Sequence, residues 1–492
     1  MTSSYPLLSL LLLLPLLGAV LCFISGESRS RPVALVFAVL QLLVSLAVLA
    51  VFDPAVQGFQ LLERYEWVET LNLEILLGVD GLSVVFLPLT ALVTLALLIH
   101  AWHSWPGQRH SFAALLLVLQ AATMGIFLAL DTVLFFLFWE LTLPPLFFLI
   151  SRFGTGPDRR NAALKYTLYM LGGGAPLLFA FILLALNHAT SIGQAAPQGL
   201  SFSLPTLLDT EVPFELQRTL FFLLLLGFGV KAPLFPLHTW LPKAAFEGPA
   251  QITAWLLGLK LGIYGLLRFM LPLVPAAVAE FQRPLALLGA FTLIYAAFIA
   301  LRQSNLRTLL AYVGLSHVGL VVMGLASLTE QGIQGAIFQL CNFTLIAVAL
   351  MLLSASLHER LGSTELVHMG GLATPMPRAA TLFVLFALAS LGAPLTSGFP
   401  AELLLLIGNF RSHPGLGLTA LLGAVLGAAA LLNFLRRAFW GPLSDARHRH
   451  HADLLRREYL LLLGIFVLVL CGGLFPSFVL NLSSSAVAEL MP

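Results

Sequence analysis

Charge is scarce in this sequence. Only 10% of its 492 residues are Asp, Glu, Lys or Arg, and 59% are hydrophobic, where a soluble chain carries about 25% charged residues. With a mean hydropathy of +0.96, a soluble globular domain is excluded. The apolar runs are continuous and do not alternate, which excludes an outer-membrane β-barrel as well. Cysteine is rarer still. Cys22, Cys341 and Cys471 lie far apart in apolar runs; they are too few for the four thiolates of an iron–sulfur cluster and read as packing residues. A net charge of +2 leaves no electrostatic footprint for nucleic acid. No basic residue precedes the apolar run that starts at Pro6 and no small-residue cleavage site is clear, so a retained first helix is expected, not a cleaved leader.

What the sequence does hold is hydrocarbon-length helices. With about 20 apolar residues per span, fourteen are expected, near 6–25, 32–52, 80–101, 111–130, 132–151, 163–187, 219–240, 250–271, 285–301, 308–327, 331–355, 378–411, 415–437 and 457–480. The fold class is therefore an all-α polytopic membrane protein. Charge supports the count: 18 of the 25 Lys and Arg fall in loops 26–31, 102–111, 152–165, 241–249, 302–307, 356–378 and 436–457, all on one side under this assignment. That basic side is expected to be cytoplasmic, with both termini outside. Segments 53–79 and 188–218, acidic and turn-rich, are expected to be solvated loops on the other face.

Between 111 and 437 two sets of five helices follow one another, and the fourth helix of each is interrupted by prolines, at Pro233 and Pro236 and at Pro394 and Pro400. An odd number of helices per unit forces the second to lie upside down, and inverted repeats with discontinuous helices belong to transporters. The expected organisation is a three-helix segment over 1–110, a first unit over 111–271, an inverted second unit over 285–437, and a loop and final helix over 438–492.

The ionisable series singled out inside these spans is Glu140, Lys231, Lys260, His317 and Glu402. An ammonium in hydrocarbon costs at least about 2.5–3.5 kcal/mol and marks an ion route. Pro233 and Pro236 free the carbonyls of Gly229 and Ala232 beside Lys231, Pro144 frees that of Glu140, and Pro400 that of Thr396 near Glu402. Freed carbonyls need water or a protein donor, which a lipid-facing site cannot supply. Lys260 is mid-span between Gly258 and Gly262, too deep to snorkel easily and at a spacing that lets a neighbouring helix approach. His317 alone is equally consistent with a hydrogen-bonded packing histidine. Arg268, near the outer end of its span, reads as an interfacial anchor. The series alternates acid and base, which suits a proton relay. At an effective dielectric of 20, a charge 8 Å away contributes about 2 kcal/mol, enough for Glu140 to control whether Lys231 holds its proton.

Two other patterns carry less. His448, His450 and His451 fit a basic loop at an anionic lipid surface better than a metal site. Gly415-Leu-Gly417-Leu-Thr-Ala420 begins a hydrophobic helix with no strand before it, so it is no dinucleotide fingerprint. No metal, flavin or nucleotide site is visible.

Taken together, Phe-Trp-Glu-Leu-Thr-Leu-Pro-Pro at Glu140, Val-Lys-Ala-Pro-Leu-Phe-Pro-Leu-His-Thr-Trp-Leu-Pro at Lys231, Leu-Lys at Lys260, Tyr-Val-Gly-Leu-Ser-His-Val-Gly at His317 and Ser-Gly-Phe-Pro-Ala-Glu at Glu402 resemble the antiporter-like M subunits (chain 4, or D in plastids and cyanobacteria) of complex I. The resemblance covers most of the chain. It implies a translocase subunit without a redox centre or cofactor of its own. Quinone, iron–sulfur clusters and the electron donor would then belong to other membrane-arm and peripheral-arm subunits, among them a second antiporter-like one. Glu140, Lys231, Lys260, His317 and Glu402 would carry protons. The chain departs from the family at Lys243-Ala-Ala, where Asp-Ala-His is usual, and at Phe343, where a second relay histidine is common; Asn342 or water would have to bridge that gap. These departures resemble the cyanobacterial CO2-uptake variant, which implies ferredoxin and plastoquinone, a CO2-hydrating partner and a thylakoid membrane, with a bacterial inner membrane as the other location. An Mrp-type sodium/proton antiporter subunit and a structural subunit with an inactive channel are the competing readings.

Overall fold

A computed structural model describes residues 6–442 and 451–491; the histidines at 448 and 450 lie outside the described residues. The chain opens with helix α1 (Leu7–Val51), a hairpin of β1 (Gln60–Val68) and β2 (Leu73–Val79), and helices α2 (Phe86–His100) and α3 (Arg109–Leu128). Then come α4 (Thr132–Leu141), α5 (Leu143–Phe153), α6 (Arg159–Ser191), the short α7 (Leu204–Leu208), α8 (Phe214–Lys231), α9 (Trp240–Glu247), α10 (Ala250–Gly258) and α11 (Leu261–Gly265). A π-helical turn at Leu266–Met270 leads to α12 (Leu271–Leu273), α13 (Pro275–Glu280), α14 (Gln282–Leu301), α15 (Leu306–Ala326) and α16 (Glu330–Leu361). The last elements are α17 (Pro377–Ser390), α18 (Gly398–Ser412), α19 (Pro414–Phe439), α20 (Arg456–Leu474) and α21 (Ser477–Leu490).

Eleven of the described helices or helix pairs are long and apolar enough to cross a membrane, against fourteen expected. The difference has local causes. α1 is continuous by hydrogen bonding, but Gly26 inside it has φ 67° and ψ −170°, a conformation open to glycine, and two passes meet there. α8 carries Glu215, Arg218 and Lys231, and α17 and α18 are short halves on either side of a break.

The expected solvated loop at 53–79 is instead an antiparallel hairpin, with Arg64 opposite Leu76 and Glu66 opposite Glu74. Tyr65, Trp67, Val68 and Ile75 are strand formers, and Leu76–Val79 are buried, which no solvated loop would require. Glu63 on β1 reaches the start of α1, accepting the Leu8 N–H at 2.7 Å and the Ser9 N–H at 2.9 Å. A carboxylate there satisfies orphan donors and meets the positive end of the helix dipole.

Burial picks out the centre of the bundle. The most apolar stretches of Ala250–Leu273, α15 and α16 are 89%, 94% and 100% buried, against 28% for α20. Those three spans carry Lys260, His317 and Phe343, so these residues face protein and not lipid.

The seven basic loops are joined in one belt of hydrogen bonds. Glu27 accepts the Gly107 and Arg109 N–H groups, Arg152 donates to Gln108, and Lys243 pairs with Asp158 at 2.6 Å. Arg307 donates to the Gly248 carbonyl, Asn305 to Glu365, and Arg360 to the Ala452 carbonyl. On the opposite face a second belt links Asn72 to Gln198, Arg218 to Glu280, Gln282 to Ser327, Arg411 to Gln331 and Gly58 to Glu489.

Candidate functional site

Three interrupted helices build the interior. α8 ends at Lys231 and helix resumes only at Trp240. Between them the Gly229 carbonyl, deprived of its usual donor by Pro233, accepts the Leu234 N–H at 2.9 Å, and the Val230 carbonyl accepts the Trp240 indole N–H at 2.9 Å. The break is thus paid for within the protein. Lys231 Nζ donates to the Trp139 carbonyl at 3.1 Å and to Thr142 Oγ1 at 3.0 Å, and lies 3.8 Å from the Trp139 ring centroid. Thr142 is the junction between α4 and α5, just ahead of Pro144 and Pro145.

Glu140 is one residue from this nest, yet no ion pair within 4.0 Å joins it to Lys231 among the described residues. Its Oε1 is buried without a protein partner, and its carboxylate lies against Gly174 of α6, whose missing side chain makes the room. Lys231 is held by Trp139 and Thr142, on either side of Glu140 in sequence, while the Glu140 carboxylate turns to α6.

The second interruption was not expected. α10 stops at Gly258, Leu259 and Lys260 leave helical geometry (Lys260 φ −81°, ψ 61°), and α11 starts at Leu261. The freed Gly258 carbonyl accepts Thr344 Oγ1 from α16 at 3.0 Å. The spacing of Gly258 and Gly262 has a concrete use: a Cβ on Gly262 would collide with the backbone of Phe228 and Ala232. The break beside Lys260 therefore rests directly on the break beside Lys231. Lys260 is 8% exposed and its Nζ has no hydrogen-bond partner in the protein. Its nearest aromatic face is Phe343, 5.0 Å from Nζ to the ring centroid, a favourable site for an ammonium.

Phe343 touches the other side of the site as well. Its ring centroid is 4.7 Å from that of His317. His317 binds the Val313 carbonyl through Nδ1 at 2.8 Å, and its Nε2 is 3.2 Å from the Ser390 carbonyl and 3.5 Å from Glu402 Oε1. Ser390 ends α17 at the third interruption, Leu391–Ser397. Gly392, at φ 64°, lets the chain turn there and leaves space for the Glu402 carboxylate. A cavity of about 20 Å³ bounded by His317, Ser390, Glu402 and Gly427 is large enough for one water. Asn342 does not bridge Lys260 to His317: it accepts from Ser397 Oγ at 2.6 Å and donates to Gln339 at 3.0 Å.

The structure thus brings Glu140 and Lys231 to one break, Lys260 to a second and His317 with Glu402 to a third. Gly262 joins the first two and Phe343 the last two. Sequence reasoning misplaced Arg268. It is no interfacial anchor but 7% exposed, with NH1 and NH2 on Asp80 at 2.6 and 2.5 Å and Nε on Tyr264 at 3.1 Å. The pair spans 188 residues of sequence, so no local pattern could signal it. Among the described residues, no group of three His, Cys, Asp or Glu could hold a metal ion.

Residues 129–427 match the family described as NADH:quinone oxidoreductase/Mrp antiporter, transmembrane. The chain is 33% identical to the NADH-quinone oxidoreductase subunit M of Rickettsia typhi over 99% of both chains. It is 36% identical to the NAD(P)H-quinone oxidoreductase chain 4 1 of a Synechococcus, covering 96% of this chain and 90% of the relative. A chain of respiratory complex I from Thermus thermophilus superposes with a TM-score of 0.89 at 30% identity, over 98% of this chain and 99% of that one. A chain of the Mrp complex from Dietzia superposes at 0.83 with 22% identity, over 98% of this chain and 52% of that one, a likeness of fold alone.

Proposed function

Because the chain belongs to the NADH:quinone oxidoreductase/Mrp antiporter transmembrane family, as an antiporter-like membrane subunit of the complex I type, we propose that it moves protons across a bacterial inner membrane, driven by quinone reduction elsewhere in the assembly. The route runs from Glu140 and Lys231 through Lys260 to His317 and Glu402. The observation that carries this reading is the pair of contacts joining the three interruptions: Gly262 against Ala232, and Phe343 between Lys260 and His317. Each interruption offers carbonyls and an ionisable side chain in a protein-lined interior, where a few unpartnered polar atoms can order water.

In this reading residues 111–271 and 285–437 are two inverted units of five helices, and residues 1–110 and 438–492 flank them. The basic belt faces the cytoplasm. Redox centres lie in companion subunits, a second antiporter-like subunit among them. The CO2-uptake form, with its thylakoid membrane and CO2-hydrating partner, has the 36% identity to the Synechococcus chain as its support; most of the relatives compared are subunits M such as that of Rickettsia typhi and favour the respiratory form. An Mrp-type exchanger rests on shared fold only.

Purification of the intact assembly separates these outcomes by its companion subunits. A peripheral arm with an NADH-binding flavoprotein is expected; a complex of membrane subunits alone, exchanging sodium for protons, would point to the Mrp type. In the purified assembly Glu402→Gln is expected to lower proton flux about tenfold, equivalent to roughly 1.4 kcal/mol of barrier. Unchanged flux would remove Glu402 from the route.

A further inference from the structure

On the basic face a cavity of about 330 Å³ is walled in part by Gln251, Arg307, His358 and Glu359. Gln251 is one of the buried residues of its wall. The Gln251 amide donates to His100 Nδ1 at 3.2 Å, and His100 Nε2 meets Ser356 Oγ at 2.9 Å. With Nδ1 accepting, Nε2 carries the ring proton and donates to the serine. All three residues are buried, yet the histidine is a single side chain away from the cavity. It ends α2 and so lies outside both five-helix units.

Beyond His100 the polar trail continues along the seam between α10 and α16. Thr344 holds the Gly258 carbonyl at one end of the seam, and at the other Gln251 and Ser356 both meet His100. From Gln251 to Gly258, where α10 ends, is about 10.5 Å of helix rise, and Lys260 follows two residues on. Of the polar side chains between Gln251 and Lys260, the Trp255 indole N–H and Lys260 Nζ are buried with no protein partner. Unpartnered buried polar atoms are rare in native proteins, and ordered water would satisfy them.

We propose that His100 is the first proton-carrying side chain between the basic face and Lys260, with Gln251 as the positioning residue that orients its ring. This rests on the proton-translocating reading of the lysine–glutamate site. When the Gln251 amide gives way to water, the imidazole takes a proton at Nδ1 from a hydronium in the cavity. It then releases the Nε2 proton to the Ser356 hydroxyl, which passes one of its own on to water between α2 and α16. The ring is left neutral in the opposite tautomer and resets by rotation. One proton enters, one leaves, and no bond to carbon changes.

The test uses the intact assembly in proteoliposomes, with quinone reduction and dye-reported proton uptake measured together. His100→Ala is expected to assemble and to lower proton uptake by about a hundredfold, the lower end of what general acid–base groups contribute. Added imidazole should restore uptake, whereas pyrazole, of the same size but too weak a base to hold a proton at neutral pH, should not. Equal rescue by both would show that His100 only fills space, and would overturn the proposal. His100→Gln, which keeps a donor and an acceptor at the site, covers poor assembly of the alanine variant; an assembled glutamine variant with normal uptake would also overturn it. Lys260→Ala, measured alongside, separates the two layers. Loss of uptake there with normal uptake in His100→Gln rejects His100 and leaves the relay intact, and normal uptake in Lys260→Ala rejects both.

Discussion

The Lys260 ammonium meets an aromatic face and, among the described residues, no carboxylate within ion-pair distance. In the proposed relay, Phe343 is the side chain between the Lys260 ammonium and His317. Phe343→Leu removes a cation–π contact that contributes about 0.5–2 kcal/mol, and slower pumping is expected, by up to about tenfold. Phe343→His restores a titratable ring between the two groups and should pump at least as well as the parent, as dye quenching in proteoliposomes would read. A different residue-scale cost attaches to Asp80. Replacing it by Ala strands Arg268 in a buried site, which costs about 3–5 kcal/mol. A lower melting temperature of the purified assembly is expected, while a Phe343 variant should melt near the parent. Lys231, Lys260, His317 and Glu402 were legible in the sequence because each interrupts an apolar run. Asp80 and Arg268 were not, since each lies near a span's end, where a charge looks solvated.

Among the elements, the interruptions divide into those with proline and the one without. Pro233 and Pro236 announced the first and Pro394 and Pro400 the third, because a missing N–H and a fixed φ leave no continuous helix; Pro394 lies in the observed break and Pro400 in the first turn of α18. Gly-Leu-Lys-Leu-Gly at 258–262 announced only a close approach. The helix gives way there because Thr344 and the Ala232 break compete for its backbone, partners that lie in other parts of the chain. Gly262→Ala tests this contact. The added methyl meets backbone that cannot swing aside, and overpacking of this kind costs about 1–3 kcal/mol. Lower thermal stability is expected together with slower proton uptake, whereas Gly172→Ala, at a position with open space, should change neither. The 53–79 hairpin was hidden by its acidic residues: the strand-forming Tyr65, Trp67, Val68 and Ile75 carried the signal, and Glu63 and Glu74 are spent on the start of α1 and on Arg64.

At the scale of the whole molecule, the loop assignment read from Lys and Arg is mirrored by contacts: each basic loop is tied to the next, and the other face has its own belt. Single cysteines at Arg160 and at Glu66, both exposed, should label from opposite sides of sealed membranes, the first only from the cytoplasm. The basic belt also carries a pH signature. The hydrogen bond from Lys243, helped by one from Asn161, holds the Asp158 carboxyl below the usual carboxylate range. A carboxyl lowered on folding stabilises above its unfolded value of about 3.9 and loses that contribution as pH falls through the lower folded value. The tie between 154–158 and α9 should therefore hold from neutral pH down to about 4. Asp158→Asn should be more readily cleaved there than the parent by limited proteolysis at pH 7, and equally so in strong acid. The relay itself is tested most directly by the protons moved per electron in proteoliposomes containing the Lys231→Ala assembly. A ratio below the parent's, with the subunit present in normal amount, is what the three linked interruptions predict. An unchanged ratio would contradict them.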